Sequence, residues 1–412
     1  MSDQSHWNDV SDSNNLSRLL VRAHEKAGKW IEFRRELHRR PELSLQESET
    51  ARAVSRHLER LGIAYRAEVG GHGIVAEIFG DRPGPTIALR ADMDALPIQE
   101  EADVAFASER PGLMHACGHD AHTAILLGAA ELLAQTPRGF GGSVRLLFQP
   151  AEEINAGARA MMEAGALEGV AEIYGLHNLP TLAAGRVATR SGAMMGSVDR
   201  IEIDLEGRGA HGAIPNQGID PIVCAAALIQ SLQSLVSREV SPFSPVVVTI
   251  GSIHAGEANN VIPQTCRLSG TIRTFDPGVQ KILPSALARI VQGIAAAHRC
   301  AAELRYIHQV PVLVNHEENA RFVEAAIDGI IGAENRGVAD PTLAGEDFSL
   351  YLEERPGCFF WLGSGPQEDA EHAYGLHHPK FKLHEECIPI GMALLAGIAL
   401  KRLSKQKTRT SN

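Results

Sequence analysis

The chain has 412 residues, with 39 Lys+Arg against 50 Asp+Glu and a formal charge of −11. At roughly 100–200 residues per domain that length implies two or three domains, and 44% hydrophobic with 22% charged residues is a globular rather than a disordered composition. The acidic balance excludes non-specific nucleic-acid binding, which needs a basic footprint.

In chain order, residues 1–9 combine no positive start with an apolar core, so no secretory signal is expected. A helix is predicted over 47–61, where Ala51, Val54, Leu58 and Leu61 recur at helical spacing before Gly62. Short apolar runs at 73–79 and 86–89, bounded by Gly and Pro, predict strands. A helix over 120–135, a strand at 143–148, a helix at 156–164 and a strand at 171–176 follow. Residues 201–206 alternate apolar and acidic side chains, the pattern of a half-exposed strand. A helix at 220–237, strands at 246–253 and 266–274, a helix opened by Asp276-Pro277 and a strand at 301–308 complete a β-α-β-β-α-β unit. Alternation then resumes with a helix near 318–331, a strand at 358–362 and a closing helix after Glu385.

This order predicts an α/β domain with a largely parallel sheet, interrupted by a ferredoxin-like domain. The expected boundaries are 15–189 and 306–405 for the α/β domain and 190–305 for the insertion. The longest apolar run, 388–400, contains Pro389 and two glycines and predicts a buried helix rather than a membrane span. Six widely spaced cysteines without a CxxC pair read as reduced thiols. A cytoplasmic protein with no membrane and no nucleic-acid partner is therefore expected.

Chemistry concentrates in a few places. His115, Cys117, His119 and His122 fall within eight residues just before a helix, and thiolate with imidazole suits zinc and its neighbours. Glu152 and Glu153 follow Pro150 at a strand's carboxyl end, where open α/β sheets place ligands. Neighbouring carboxylates diverge there, so one can hold a metal while the other handles a proton. Alone, such a pair is an ordinary solvated surface. His177 ends another strand, and His377-His378 lies near the chain's end. Asp92, in Arg90-Ala91-Asp92-Met93-Asp94, is either a turn residue or a carboxylate that holds a ligand histidine in one tautomer.

Ten segments then occur in order: LHRRPELSLQE, ALRADMDALPI, MHACGHDAHTA, FQPAEE, GLHN, GRGAHGAIP, NVIPQ, GTIRTFD, GEDFS and LHHPKF. Together, from about 30 to 400, the chain resembles the metal-dependent aminoacylase and hippurate hydrolase amidohydrolases. That family includes the auxin-conjugate hydrolases and lies within the clan of dizinc peptidases and deacylases. The resemblance implies a catalytic α/β domain whose inserted domain is a lid and homodimerisation module. It implies two divalent ions per subunit (Mn, Zn, Co or Ni), with Cys117, His119, Glu153, His177 and His377 as ligands. Glu152 matches the general base, and His211 a lid histidine that stabilises the oxyanion across the dimer. Asn260 and Arg273 match lid positions that grip a substrate carboxylate. The implied reaction is hydrolysis of small N-acyl amino acids. The rival readings are a dipeptidase or carboxypeptidase of the same clan, a non-catalytic binding homologue, and a hydrolase using Cys117 as nucleophile.

Overall fold

The computed structural model describes residues 13–136, 139–368 and 373–404; the stretch 1–9, where no signal is expected, lies outside them. The chain divides into two compact units, one drawn from Met1–Gly192, Val314–Asp340 and Leu350–Asn412, the other from Ala193–Leu313 and Pro341–Ser349.

The first unit opens with α1 (Ser13–Arg39), where the sequence pattern predicts nothing. Leu19, Ala23, Trp30, Phe33 and Leu37 are all buried, and their spacing puts them on one helical face. The charged residues between them dilute that stripe in a linear reading. Helix α2 (Ser48–Arg60) buries Thr50, Val54 and Leu58. Then come β1 (Ala64–Arg66), β2 (Ile74–Phe79), β3 (Arg82–Asp92), α3 (His119–Ala134), β4 (Gly141–Gln149), α4 (Gly157–Glu163), β5 (Val170–Ala183) and β6 (Val187–Thr189), and β7 (Gly192–Met195) carries the chain into the second unit.

In the second unit β8 (Val198–Glu206), β9 (Ala210–His211), α5 (Pro221–Ser234), β10 (Val246–His254), β11 (Val261–Ile262), β12 (Thr265–Thr274), α6 (Pro277–Ala297) and β13 (Ala301–Val310) follow in order. An antiparallel sheet of order β10-β12-β8-β13 carries the expected β-α-β-β-α-β connection. Ile201, Ile203 and Leu205 face inward with Leu228 and Leu232 of α5 and Leu283, Leu287 and Val291 of α6. Both helices start the same way: Asp220 and Asp276 accept backbone N–H bonds from the first turn, and a proline follows each.

The chain then runs through β14 (Leu313–Asn315), α7 (Glu317–Ile331), β15 (Arg336–Val338), α8 (Phe348–Glu354), β16 (Gly357–Gly365) and α9 (Cys387–Ser404). The main sheet has the order β1-β2-β4-β3-β5-β16-β6-β15. Its centre, β4-β3-β5-β16, is parallel, with antiparallel pairs at β1/β2, β2/β4 and β16/β6. All of β16 is buried, which requires cover on both faces. Helix α9 is long and apolar enough to cross a membrane, yet 83% of it is buried inside the protein; it is a core helix, as its proline and glycines predict. The segments with the candidate ligands leave the sheet where β3 ends at Asp92 and β4 at Gln149, with His177 beside Trp361 in the β5/β16 register.

Candidate metal centre

Gly118 separates Cys117 from His119 and has φ +91°, and a Cβ there would lie 2.3 Å from the Asn178 amide nitrogen. Only glycine fits both constraints. The turn aims Cys117 and His119 into one space, which three other segments enter. Cys117 Sγ lies 3.3 Å from His177 Nε2, His119 Nε2 is 3.8 Å from Glu153 Oε1, and His377 Nε2 is 3.4 Å from Glu153 Oε2. Ligand atoms of Cys117, His119 and His177 lie within 4.8 Å of one another, as do those of Cys117, Glu153 and His377, and those of His119, Glu152 and Glu153. All five expected ligands and the expected base therefore meet in one cluster. His378 does not: it stacks on Tyr374, with ring centroids 4.4 Å apart.

The donors suit divalent cations. Tetrahedral ligands about 2.0–2.3 Å from a zinc-like ion stand about 3.3–3.8 Å apart, which is the spacing seen. His119 Nε2 and Glu153 Oε1 are buried without a hydrogen-bond partner, a costly state for polar atoms unless a ligand takes them up. His177 Nδ1 lies 2.8 Å from the carbonyl of Asn178, to which it must donate, so its Nε2 lone pair faces the cluster in the tautomer a metal needs. Burial, with Glu153, Glu152 and Asp92 nearby, pushes the Cys117 thiol well up. Burial likewise raises Glu153 to about 7. Although burial opposes its charge, Asp92, Asp94 and Glu153 draw His119 up to about 10. The pocket is short of positive charge, and divalent cations supply it.

The carboxylate bonded to His119 Nδ1 is Asp94, at 3.2 Å, a residue to which the sequence reading assigns no role. Its other oxygen accepts from the Glu153 backbone N–H at 3.0 Å and from Ser44 Oγ at 2.7 Å. Asp92 instead bonds His122 Nδ1 at 2.6 Å and Arg90 at 2.6 Å, with its Oδ2 3.7 Å from His119 Nε2. His122 Nε2 accepts the Asn178 backbone N–H at 3.0 Å, so both its ring nitrogens are engaged. The alternation Asp92-Met93-Asp94 was the available signal, because residues two apart on extended chain share a face.

In the second unit, β9 and β11 form a two-stranded ribbon in which His211 pairs with Val261, and Gly212 N–H donates to the carbonyl of Asn260 at 2.8 Å. His211 and Asn260 are thus neighbours. His211 Nδ1 accepts from the Ala213 N–H at 3.0 Å, which leaves Nε2–H as an outward donor. Arg273 lies apart from them, eight residues along β12 from Thr265, about 26 Å of extended strand. Its guanidinium bonds Thr271 Oγ1 and has no carboxylate partner within ion-pair distance among the described residues.

The sequence pattern of peptidase family M20/M25/M40 matches residues 88–401. The chain belongs to this peptidase family. Within it, the N-acetylcysteine deacetylase of Bacillus subtilis is 43% identical over 372 residues, covering 90% of this chain and 96% of that protein. Thermostable carboxypeptidase 2 of Saccharolobus solfataricus is 38% identical, over 91% of this chain and 95% of its own. Among solved structures, the YXEP protein of Bacillus subtilis, described as a dinuclear metal-binding peptidase of the same family, superposes with a TM-score of 0.81 at 39% identity, over 92% and 99% of the two chains.

Proposed function

We propose that the chain is an amidohydrolase that cleaves N-acyl amino acids to a carboxylate and a free amino acid. Cys117, His119, Glu153, His177 and His377 would hold two divalent ions. The observation that carries this reading is the meeting of those five donors, from four chain segments, beside Glu152. Ions held there supply Lewis acidity, which acidifies water and polarises a carbonyl.

The chain's own groups do the rest. Glu152 is buried, with Oε2 4.0 Å from His119 Nε2. As general base it takes the proton of the attacking water and returns it to the leaving nitrogen. His211, donating through Nε2–H, meets the negative charge that develops on the carbonyl oxygen. Arg273, without a carboxylate partner within ion-pair distance among the described residues, and Asn260 grip the substrate's carboxylate. Because His211 and Arg273 lie towards opposite ends of β12, we assign them to different copies at one site, which makes the working unit a homodimer through the second unit.

The test is metal-stripped protein, with Mn, Zn, Co or Ni added back, assayed on N-acetyl and N-benzoyl amino acids beside unblocked dipeptides. Metal-restored cleavage of the acyl substrates is expected. Activity that survives chelation would replace this reading with a Cys117 nucleophile. The carboxypeptidase relative favours one alternative, a peptidase of the same family, which preferential cleavage of the free dipeptides would establish.

A further inference from the structure

Away from the donor cluster, four charged side chains from three segments are buried together. Asp120 Oδ2 accepts from His38 Nδ1 at 2.8 Å and forms an ion pair with Arg34, whose Nε lies 2.7 Å away without hydrogen-bond geometry. His38 Nε2 lies 3.1 Å from Glu100 Oε1. The side chains of Arg34, His38, Asp120 and Glu100 are 2%, 2%, 0% and 3% exposed. An ionised carboxylate can only accept, so Asp120 at 2.8 Å and Glu100 at 3.1 Å take the two ring protons of an imidazolium. The longer approach of Arg34 Nη2 to Nδ1, 3.3 Å, is a contact between two donors rather than a hydrogen bond. Two cations then balance two anions, as burial demands.

We propose that His38 is a positioning residue for the metal centre: it ties the start of α3, which carries His119, to the segment that braces the turn carrying His377. This rests on the metal reading above. Asp120 immediately follows His119 in the first turn of α3. Glu100 is fixed at both ends, because its Oε2 accepts from the Ser108 backbone N–H at 2.6 Å. The next residue, Glu101, donates its N–H to the carbonyl of Pro379 at 2.8 Å, and His377 donates its N–H to the carbonyl of Ala116 at 2.9 Å. His377 has φ +64°, a left-handed conformation that a non-glycine residue keeps only when its surroundings hold it. Ala116, which leads directly into α3, and Pro379 are among those surroundings, and His38 links Pro379 to α3 through Glu100 and Asp120.

Several groups face His38. Burial and Arg34 oppose its charge, and Asp120 and Glu100 outweigh both, so its pKa is raised. His115, whose ring centre is 6.3 Å away, makes no hydrogen bond. Phe106 packs edge-on against the imidazole at 5.6 Å and under the Arg34 and Arg35 guanidiniums at 4.9 and 5.1 Å, which closes the cluster to water.

Cobalt(II) titration of metal-free full-length protein tests this, because its absorption reports both occupancy and the Cys117 thiolate bond. His38→Gln removes the cation and leaves Asp120 and Glu100 unbalanced. Cobalt affinity is expected to fall about 10–100-fold, with altered visible bands. Glu100→Gln, which keeps an acceptor oxygen, should show a smaller loss, and it carries the test if His38→Gln does not fold. The double variant removes one charge of each sign and should recover part of the affinity. Wild-type affinity and spectrum in the folded variants, with only the melting temperature lowered, would reduce His38 to a structural role and overturn the proposal. A wild-type protein that binds no cobalt would instead overturn the metal reading, and the proposal with it.

Discussion

Replacing Asp94 by alanine is the sharpest probe of how the centre is held. The carboxylate is fully buried and accepts three bonds, from His119 Nδ1, the Glu153 N–H and Ser44 Oγ. Ser44 is only partly buried and its hydroxyl can turn to water. The other two donors lose their acceptor, at about 1–3 kcal/mol each, or about 2–6 kcal/mol in total. That is a large share of the roughly 5–15 kcal/mol by which folded proteins are stable. The imidazole of His119 also loses the partner that fixes its tautomer, an effect worth about 10–100-fold in metal affinity. Denaturant unfolding and metal titration read the two effects separately. Asp94→Asn, with one acceptor oxygen left, should fall between wild type and alanine. An alanine variant with wild-type stability and metal affinity would refute the view that Asp94 orients His119 and Glu153.

Four further outcomes are expected. Glu152→Gln should retain metal, by direct metal analysis, while turnover falls about 10²–10⁴-fold; near-normal turnover would remove Glu152 as the base. Glu152→Gln and His211→Ala proteins, each nearly inactive, should regain activity when mixed, because random exchange makes about a quarter of the sites intact in a dimer sharing His211; no recovery would confine His211 to its own chain. Gly118→Ala should destabilise the protein by about 2–5 kcal/mol, summing left-handed strain and collision with Asn178, as measured by chemical unfolding. Burial, then Arg60, Lys29 and Arg56, depress His57 to about 4, below the unfolded value of about 6.5. The unfolded chain therefore binds more protons between those values, and stability should fall as pH drops from about 6.5 to about 4. Allowing for partial exposure, the loss is on the order of 1–2 kcal/mol, and His57→Gln should flatten that slope in pH-dependent unfolding.

Much of the architecture was legible because it is periodic. The alternation in 201–206 and the Asp276-Pro277 start of α6 are decided within a few residues, and the structure keeps them. The long helix α1 was not legible, because its apolar stripe is interleaved with charge. The candidate ligands could be named by residue type and order, but two questions passed beyond pattern. Of the adjacent histidines, His377 faces Glu153 while His378 stacks on Tyr374, and no local rule separates them. Both nearby aspartates meet α3, Asp94 at His119 Nδ1 and Asp92 at His122 Nδ1, and the packing of α3 against the end of β3 decides which carboxylate takes which histidine.

The sequence by itself determined the kinds of donor, their order and the periodicities of the elements that carry them, since each is written in the chemistry and spacing of neighbouring residues. Tertiary structure alone decided which donors meet, the tautomer of His177, the separation of Arg273 from His211, and the tie from His38 to Asp120 across 82 positions. Those contacts join residues far apart along the chain, and their geometry follows from how the sheet and helices pack, which no short window of sequence contains.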